Sequence, residues 1–128
     1  TRSGEVFDAP IDVVLTDEDV VQPDLLFIST GRAGIVTREN IRGAPDLVVE
    51  ITSPSTARID REQKRALYER AGVREYWIVV PERKAITFLR HDGARFIEVE
   101  AAPDRFESQA IPGFVLDLPR LRAVFEPW

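Results

Sequence analysis

The chain contains no cysteine and no methionine, one histidine, and only two lysines among its 17 basic residues. Without cysteine there are no disulfides, no thiolate-held metals, no iron–sulfur clusters and no thiol nucleophile. With His91 alone, a zinc site built from several imidazoles is excluded too. No stretch approaches the roughly 18 apolar residues of a membrane span, and no basic-then-apolar leader opens the sequence. The expected setting is therefore cytoplasmic, with no membrane partner. The opening Thr1-Arg2-Ser3-Gly4 is not a simple translation start: processing, trimming or excision from a longer chain would each explain it. Positive charge is also short, at 17 basic against 22 acidic residues, net −5. Phosphates are gripped by Lys and Arg, so this balance argues against a general nucleic-acid surface and leaves room only for a local patch. Since Arg fills almost every cationic position, the two lysines, Lys64 and Lys84, stand out.

What is present suffices for a single domain over residues 1–128. The chain is 44% hydrophobic and 30% charged, and one of this length buries roughly two-thirds of its unfolded surface. Short strands are expected at Ile11–Leu15 and at Val20–Ser29, the latter interrupted by Pro23. Thr30–Ala44, polar and carrying three glycines, reads as a long exposed connection with a short helix near Arg38. Asp46–Thr52 is apolar at nearly every position, the pattern of a strand buried on both faces. After the breaker cluster Ser53-Pro54-Ser55-Thr56 comes the best helix, Asp60–Ala71, with Asp60 and Gln63 spaced as a capping box and Gly72 placed to end it. Val73–Val80 is aromatic and β-branched. Ala85–Arg90 and Arg95–Glu100 form a hairpin over Asp92-Gly93, Phe114–Leu118 is a last strand, and Pro119 opens a short helix through Phe125. Strands, one main helix, then strands again predict an α/β domain on one central mixed sheet.

Within that frame three residues could carry chemistry. Glu50 lies deep in an apolar strand, where a carboxylate is costly unless it is paired, hydrogen-bonded or bound to a cation. Asp46 is on the same face but about 13 Å away at strand rise, so it reads as a cap at the strand mouth. Asp24, beside the strand after Pro23, is either a turn residue or a second carboxylate brought close to Glu50. Two carboxylates that close repel, and a divalent cation is the usual remedy. On the helix, Lys64 precedes Leu67 and Tyr68 by three and four residues and so points inward with them. Its alternative is a surface pair with Asp60, worth about 0.3–0.5 kcal/mol. An Asp, a Glu and a Lys on adjacent elements can together hold Mg²⁺ and stabilise charge on a scissile phosphate. Tyr76 and Trp77 alternate as core residues, His91 reads as a solvated hairpin-tip residue, and Arg58, Arg61, Arg65 and Arg70 either contact phosphates or, as the default, form a solvated helix face.

These stretches resemble a known family. Val21-Gln22-Pro23-Asp24-Leu25-Leu26-Phe27, Ala44-Pro45-Asp46-Leu47-Val48-Val49-Glu50-Ile51 with Ser53-Pro54-Ser55, then Asp60, Lys64, Tyr68 and Ala71-Gly72-Val73-Arg74-Glu75-Tyr76-Trp77-Ile78-Val79 are similar, in order, to the Uma-two family, a branch of the PD-(D/E)XK nuclease superfamily. The resemblance implies a restriction-endonuclease-like core and a Mg²⁺-dependent endonuclease, with Mn²⁺ as substitute, hydrolysing phosphodiester bonds of nucleic acid, DNA first. It implies Asp24, Glu50 and Lys64 as catalytic residues. The metal would sit on Asp24, Glu50 and the Ile51 carbonyl, with Gln63 and Tyr68 in support. The plain pattern puts the lysine two residues after the Glu, where Thr52 stands; Lys64 would replace it from the helix. The family's N-terminal acidic helix is not in this stretch, so the core is expected to be N-terminally truncated. A sheet covered by one helix would then leave an apolar face open, which predicts a homodimer. The alternative is a non-catalytic interaction or dimerisation module that keeps the fold.

Overall fold

The computed structural model describes residues 3–53 and 58–124; the side chains of 58–60, 122 and 124 lie outside the description. In chain order the elements are β1 (Gly4–Asp8), β2 (Val13–Val14), β3 (Val20–Val21), β4 (Leu25–Ser29), a 3-10 turn (Thr30–Ile35), β5 (Ile41–Arg42), β6 (Leu47–Ile51) and α1 (Arg58–Ala71). Then come β7 (Glu75–Val80), a 3-10 turn (Pro81–Arg83), β8 (Ala85–His91), β9 (Phe96–Val99), β10 (Arg105–Glu107), β11 (Val115–Asp117) and α2 (Leu118–Val124).

The main sheet runs β1-β4-β6-β7-β8-β9. It is mixed as expected: β6 and β7 are parallel, and every other neighbouring pair is antiparallel. The parallel pair follows from the single long crossover, since α1 carries the chain back between β6 and β7. Alternation then sorts the side chains onto two faces. On one face Leu26, Ile28, Val48, Tyr76 and Leu89 pack with Tyr68 of α1 and with Val13, Val21 and Ile41 of a small sheet ordered β3-β2-β5. On the other, Phe27, Leu47, Val49, Trp77 and Phe88 pack with Phe106, Ala110 and Leu118 from the β10–β11 pair and α2. Tyr76 and Trp77 are thus both core residues, on opposite faces.

Several expectations need correction. The second sheet face is not open; the C-terminal elements cover it, because Phe106 stacks on Phe88 at 3.7 Å between ring centroids and meets Trp77 edge-on. There is no helix at Arg38. Thr37 and Asn40 close a side-chain-bonded turn there, and the helical turn lies earlier, at Thr30–Ile35. The main helix starts by Arg58, so Asp60 lies within it and not at its cap. Gly72 does end α1, at φ +82°, with Val73 N–H donating to Tyr68 O. His91 is not a solvated tip residue: its Nδ1 accepts Gly93 N–H, which leaves the proton on Nε2 to donate to Glu69 O at 3.0 Å.

Candidate active site

Glu50 lies near the end of β6, with Val48, on the face that α1 covers. The β4–β6 register pairs Leu25 with Val49, so one step further sets Asp24 opposite Glu50. In an antiparallel pair, opposed side chains share a face at about 5 Å. Asp24 is held there by a bond to the next residue of β6, with Ile51 N–H donating to its Oδ2 at 2.6 Å. A strand residue's N–H and C=O point to the same side, so the Ile51 carbonyl also faces the Asp24 edge.

From α1, the Tyr68 hydroxyl donates to Glu50 Oε2 at 2.8 Å, and Lys64 Nζ lies 3.6 Å from the same oxygen. Glu50 is 7% exposed. Burial is the main cause that pushes its carboxyl above the usual carboxylate range; Tyr68 and Lys64 pull it back, and the charge of Asp24 pushes it up again. Burial, then the nearby Glu50 charge, pushes the Tyr68 phenol up strongly, so it stays a donor. The inward lysine deduced from spacing thus meets Glu50. The alternative partner, Asp60, has its side chain outside the described residues.

Asp24, Glu50, Ile51 and Lys64 line one cleft of about 220 Å³. Gln22 and Arg61 line it as well, and Thr52, Tyr76 and Ile78 complete its walls. Larger clefts of about 330 and 340 Å³ run along β8–β10, but their carboxylates, Glu98, Glu100 and Glu107, are exposed. Low-dielectric surroundings that raise a carboxyl, a second carboxylate and a cation converge at the smaller cleft. That combination marks sites of chemistry.

Gln63 does not join this group. It is exposed and absent from the cleft, because five residues along a helix turn it about 140° from Tyr68. Gln22 takes a polar place at the cleft instead, its amide donating to Asp12 Oδ1 at 2.6 Å. Arg61 was hidden among four arginines of a polar helix; its spacing of three from Lys64 and seven from Tyr68 is the signal that sets it on the same face.

The donor set fits a hard cation. Two carboxylates and a peptide carbonyl are all oxygen, and Mg²⁺ is commonly held by one or two carboxylates plus water and substrate oxygens. Among the described residues, no group of three or more Asp, Glu or His side chains is placed to hold a metal. No described helix is long and apolar enough to cross a membrane.

The fold and the chain both have relatives. A crystal structure of a "putative nuclease belonging to DUF820" from Anabaena variabilis superimposes with a TM-score of 0.74, over 97% of this chain and 70% of that one, at 16% identity. That likeness is one of fold. Among curated proteins no sequence matches. The Uma2 family model, described as "Putative restriction endonuclease", matches residues 1–119. That span includes every element lining the cleft, and the chain belongs to the Uma2 family.

Proposed function

We propose that the protein is a metal-dependent nuclease that hydrolyses phosphodiester bonds of DNA at the Asp24–Glu50–Lys64 cleft. The observation that carries this reading is the convergence of three groups from separate elements: Asp24 opposite Glu50, and the Lys64 ammonium 3.6 Å from Glu50 Oε2. Asp24, Glu50 and the Ile51 carbonyl would hold Mg²⁺, or Mn²⁺ in its place. When bound, the ion supplies Lewis-acid charge at a phosphoryl oxygen. The chain's own groups do the rest. The Tyr68 hydroxyl fixes the Glu50 rotamer. The Ile51 N–H fixes Asp24 against β6. Lys64 presents a point charge toward the same space, where it offsets the negative charge that grows on the phosphate. Its pairing with Glu50 keeps that charge in position before substrate arrives.

We extend the proposal to a cytoplasmic homodimer. The support is the sheet's edges: Val6 on β1 is 57% exposed and Ile97 on β9 is 41% exposed, and an exposed edge strand is a pairing surface. A clean monomer in sedimentation at tens of micromolar would contradict the dimer and leave the catalytic reading untouched.

The catalytic test is nicking of supercoiled plasmid in Mg²⁺ or Mn²⁺. Lys64→Ala is expected to lower kcat about 10²–10³-fold, the range for one preorganised donor, while the fold persists. Lys64→Arg should restore only part of it, because a planar guanidinium cannot put a point charge in the same place. Melting with Mn²⁺ gives an independent readout: the wild-type midpoint should rise, and that of an Asp24→Asn, Glu50→Gln double variant should not. Nicking by Lys64→Ala at the wild-type rate refutes the role of Lys64. No nicking and no Mn²⁺ response by the wild type would favour the non-catalytic interaction module.

A further inference from the structure

Arg61 is a cation of the cleft that the proposed chemistry leaves unused. It precedes Lys64 by three residues and Tyr68 by seven on α1, so the three side chains leave the helix on one face. Its Nε is buried and has no hydrogen-bond partner, and Arg61 makes no ion pair among the described residues. Buried donors are nearly always satisfied, and one left open costs free energy. Neither cleft carboxylate accounts for it: Glu50 Oε2 is held by Tyr68 and Lys64, and Asp24 Oδ2 by Ile51.

Arg61 also lines a second, shallower cleft of about 180 Å³ with Glu62, Arg65 and Ile78. The two clefts therefore share the Arg61 side chain as a common wall. Arg65 is one turn further along, with its Cβ about 5–6 Å from that of Arg61 on the helix surface. The positive groups thus fan around α1 away from the carboxylates, from Lys64 through Arg61 to Arg65. A lone phosphate or a metal ion would engage only the inner end. A ligand with anionic groups repeated along a strand would engage all of it.

We infer that Arg61 is a substrate-binding residue that grips a backbone phosphate next to the one cut, with Arg65 receiving the phosphate beyond it. This rests on the phosphodiesterase reading above. The occupant is the sugar–phosphate backbone of a DNA duplex. It also answers how a chain of net charge −5 holds a polyanion: binding depends on the local stripe along α1 and not on the overall charge.

The test is fluorescence anisotropy with a short fluorescein-labelled duplex in Ca²⁺ over a series of KCl concentrations, paired with nicking kinetics in Mn²⁺. Arg61→Ala should weaken duplex binding about tenfold or more, as expected for a charge-assisted hydrogen bond. It should also reduce the slope of log K against log salt by about 0.9, one phosphate contact. In nicking, the loss should fall on KM and leave kcat nearly unchanged. Arg61→Lys should recover the slope and part of the affinity, and it keeps the comparison available if the alanine variant folds poorly. Arg70→Ala removes the same charge from the opposite side of α1, nine residues along, and should change neither quantity. Equal effects of Arg61→Ala and Arg70→Ala, or no effect of Arg61→Ala on a wild type that binds and nicks, overturn this inference alone. A wild type that neither binds the duplex nor nicks overturns the phosphodiesterase reading and this inference with it.

Discussion

At the scale of single residues, Glu50 is a buried carboxyl whose surroundings oppose its charge. Its folded-state carboxyl is raised by burial in spite of Tyr68 and Lys64. Ionisation therefore works against folding: the group's contribution to stability is full below the unfolded carboxyl value, near pH 4.3, and is lost as pH rises through the folded value. Glutamine keeps an oxygen for the Tyr68 hydroxyl and cannot ionise. In the metal-free protein, Glu50→Gln should thus be more stable than wild type at neutral pH, and the two should converge below about pH 4. Urea titrations across that range check this, and a glutamine variant weaker than wild type at pH 7 would refute it. Much of this was legible in the sequence, because a lone acid in an apolar strand and a lone lysine among arginines are conspicuous. Arg61 was not legible, because in a helix rich in arginine only its angular position separates it from the solvated ones. Glu75 was missed for a different reason. It begins its strand, where an acid excites no suspicion, and its partners Ser108, Gln109 and Ala110 lie more than 30 residues away in the chain.

At the scale of elements, strong local patterns were readable and long-range pairings were not. The α1 helix, β6, β7 and the β8–β9 hairpin each announce themselves by period or turn chemistry, and the Asp92 carboxylate accepts from Ala94 and Arg95 as an Asp-Gly turn requires. Of the two-residue strands, β2 falls inside the strand expected at Ile11–Leu15 and β3 at the start of the one expected at Val20–Ser29, but β5 and the pairing of all three carry no such signal. They exist because Val13 pairs with Val21 on one side and Ile41 on the other, across loops no local rule connects. Strands β1 and β10 were also unread: each is short, polar in part, and fixed by its partner. Strand β1 depends on Gly4, which pairs with Ser29 of β4. A Cβ at that position would collide with the Ile28 carbonyl oxygen and come within 2.8 Å of Ser29 Cα. Backbone neighbours cannot swing aside. Gly4→Ala should cost about 1–3 kcal/mol, seen as a lower urea midpoint at an unchanged slope. A midpoint equal to wild type would mean that β1 shifts freely along the sheet edge.

At the scale of the whole molecule, the buried carboxylates Asp46, Glu50 and Glu75 organise the sheet, and they stand at opposite ends of the parallel pair. Asp46, just before β6, accepts Ser29 N–H at 2.7 Å and faces Arg32 and Arg74 at 3.6 and 3.9 Å. Glu75, at the start of β7, accepts from Ser108 Oγ at 2.5 Å and from the Gln109 and Ala110 amides at 3.2 Å, and pairs with Arg90 at 3.2 Å. That cluster ties the covering β10–β11 layer to the central sheet. Glu75→Ala strands a half-buried guanidinium and several donors, so it should cost about 3–5 kcal/mol. It should also expose the Trp77 side of the sheet, measurable as a red-shifted tryptophan emission. Unchanged stability and emission would show that packing at Phe106 alone holds the layer. Glu50, at the far end of β6, carries a charge that the surrounding protein leaves energetically disfavoured. The three positions therefore drift under different pressures over evolutionary time. A neutral residue in place of Glu50 removes that disfavoured charge and makes the metal-free fold more robust. Replacing Asp46 or Glu75 instead leaves buried donors and the paired arginines without their carboxylate, so selection for folding alone holds those two positions and not Glu50.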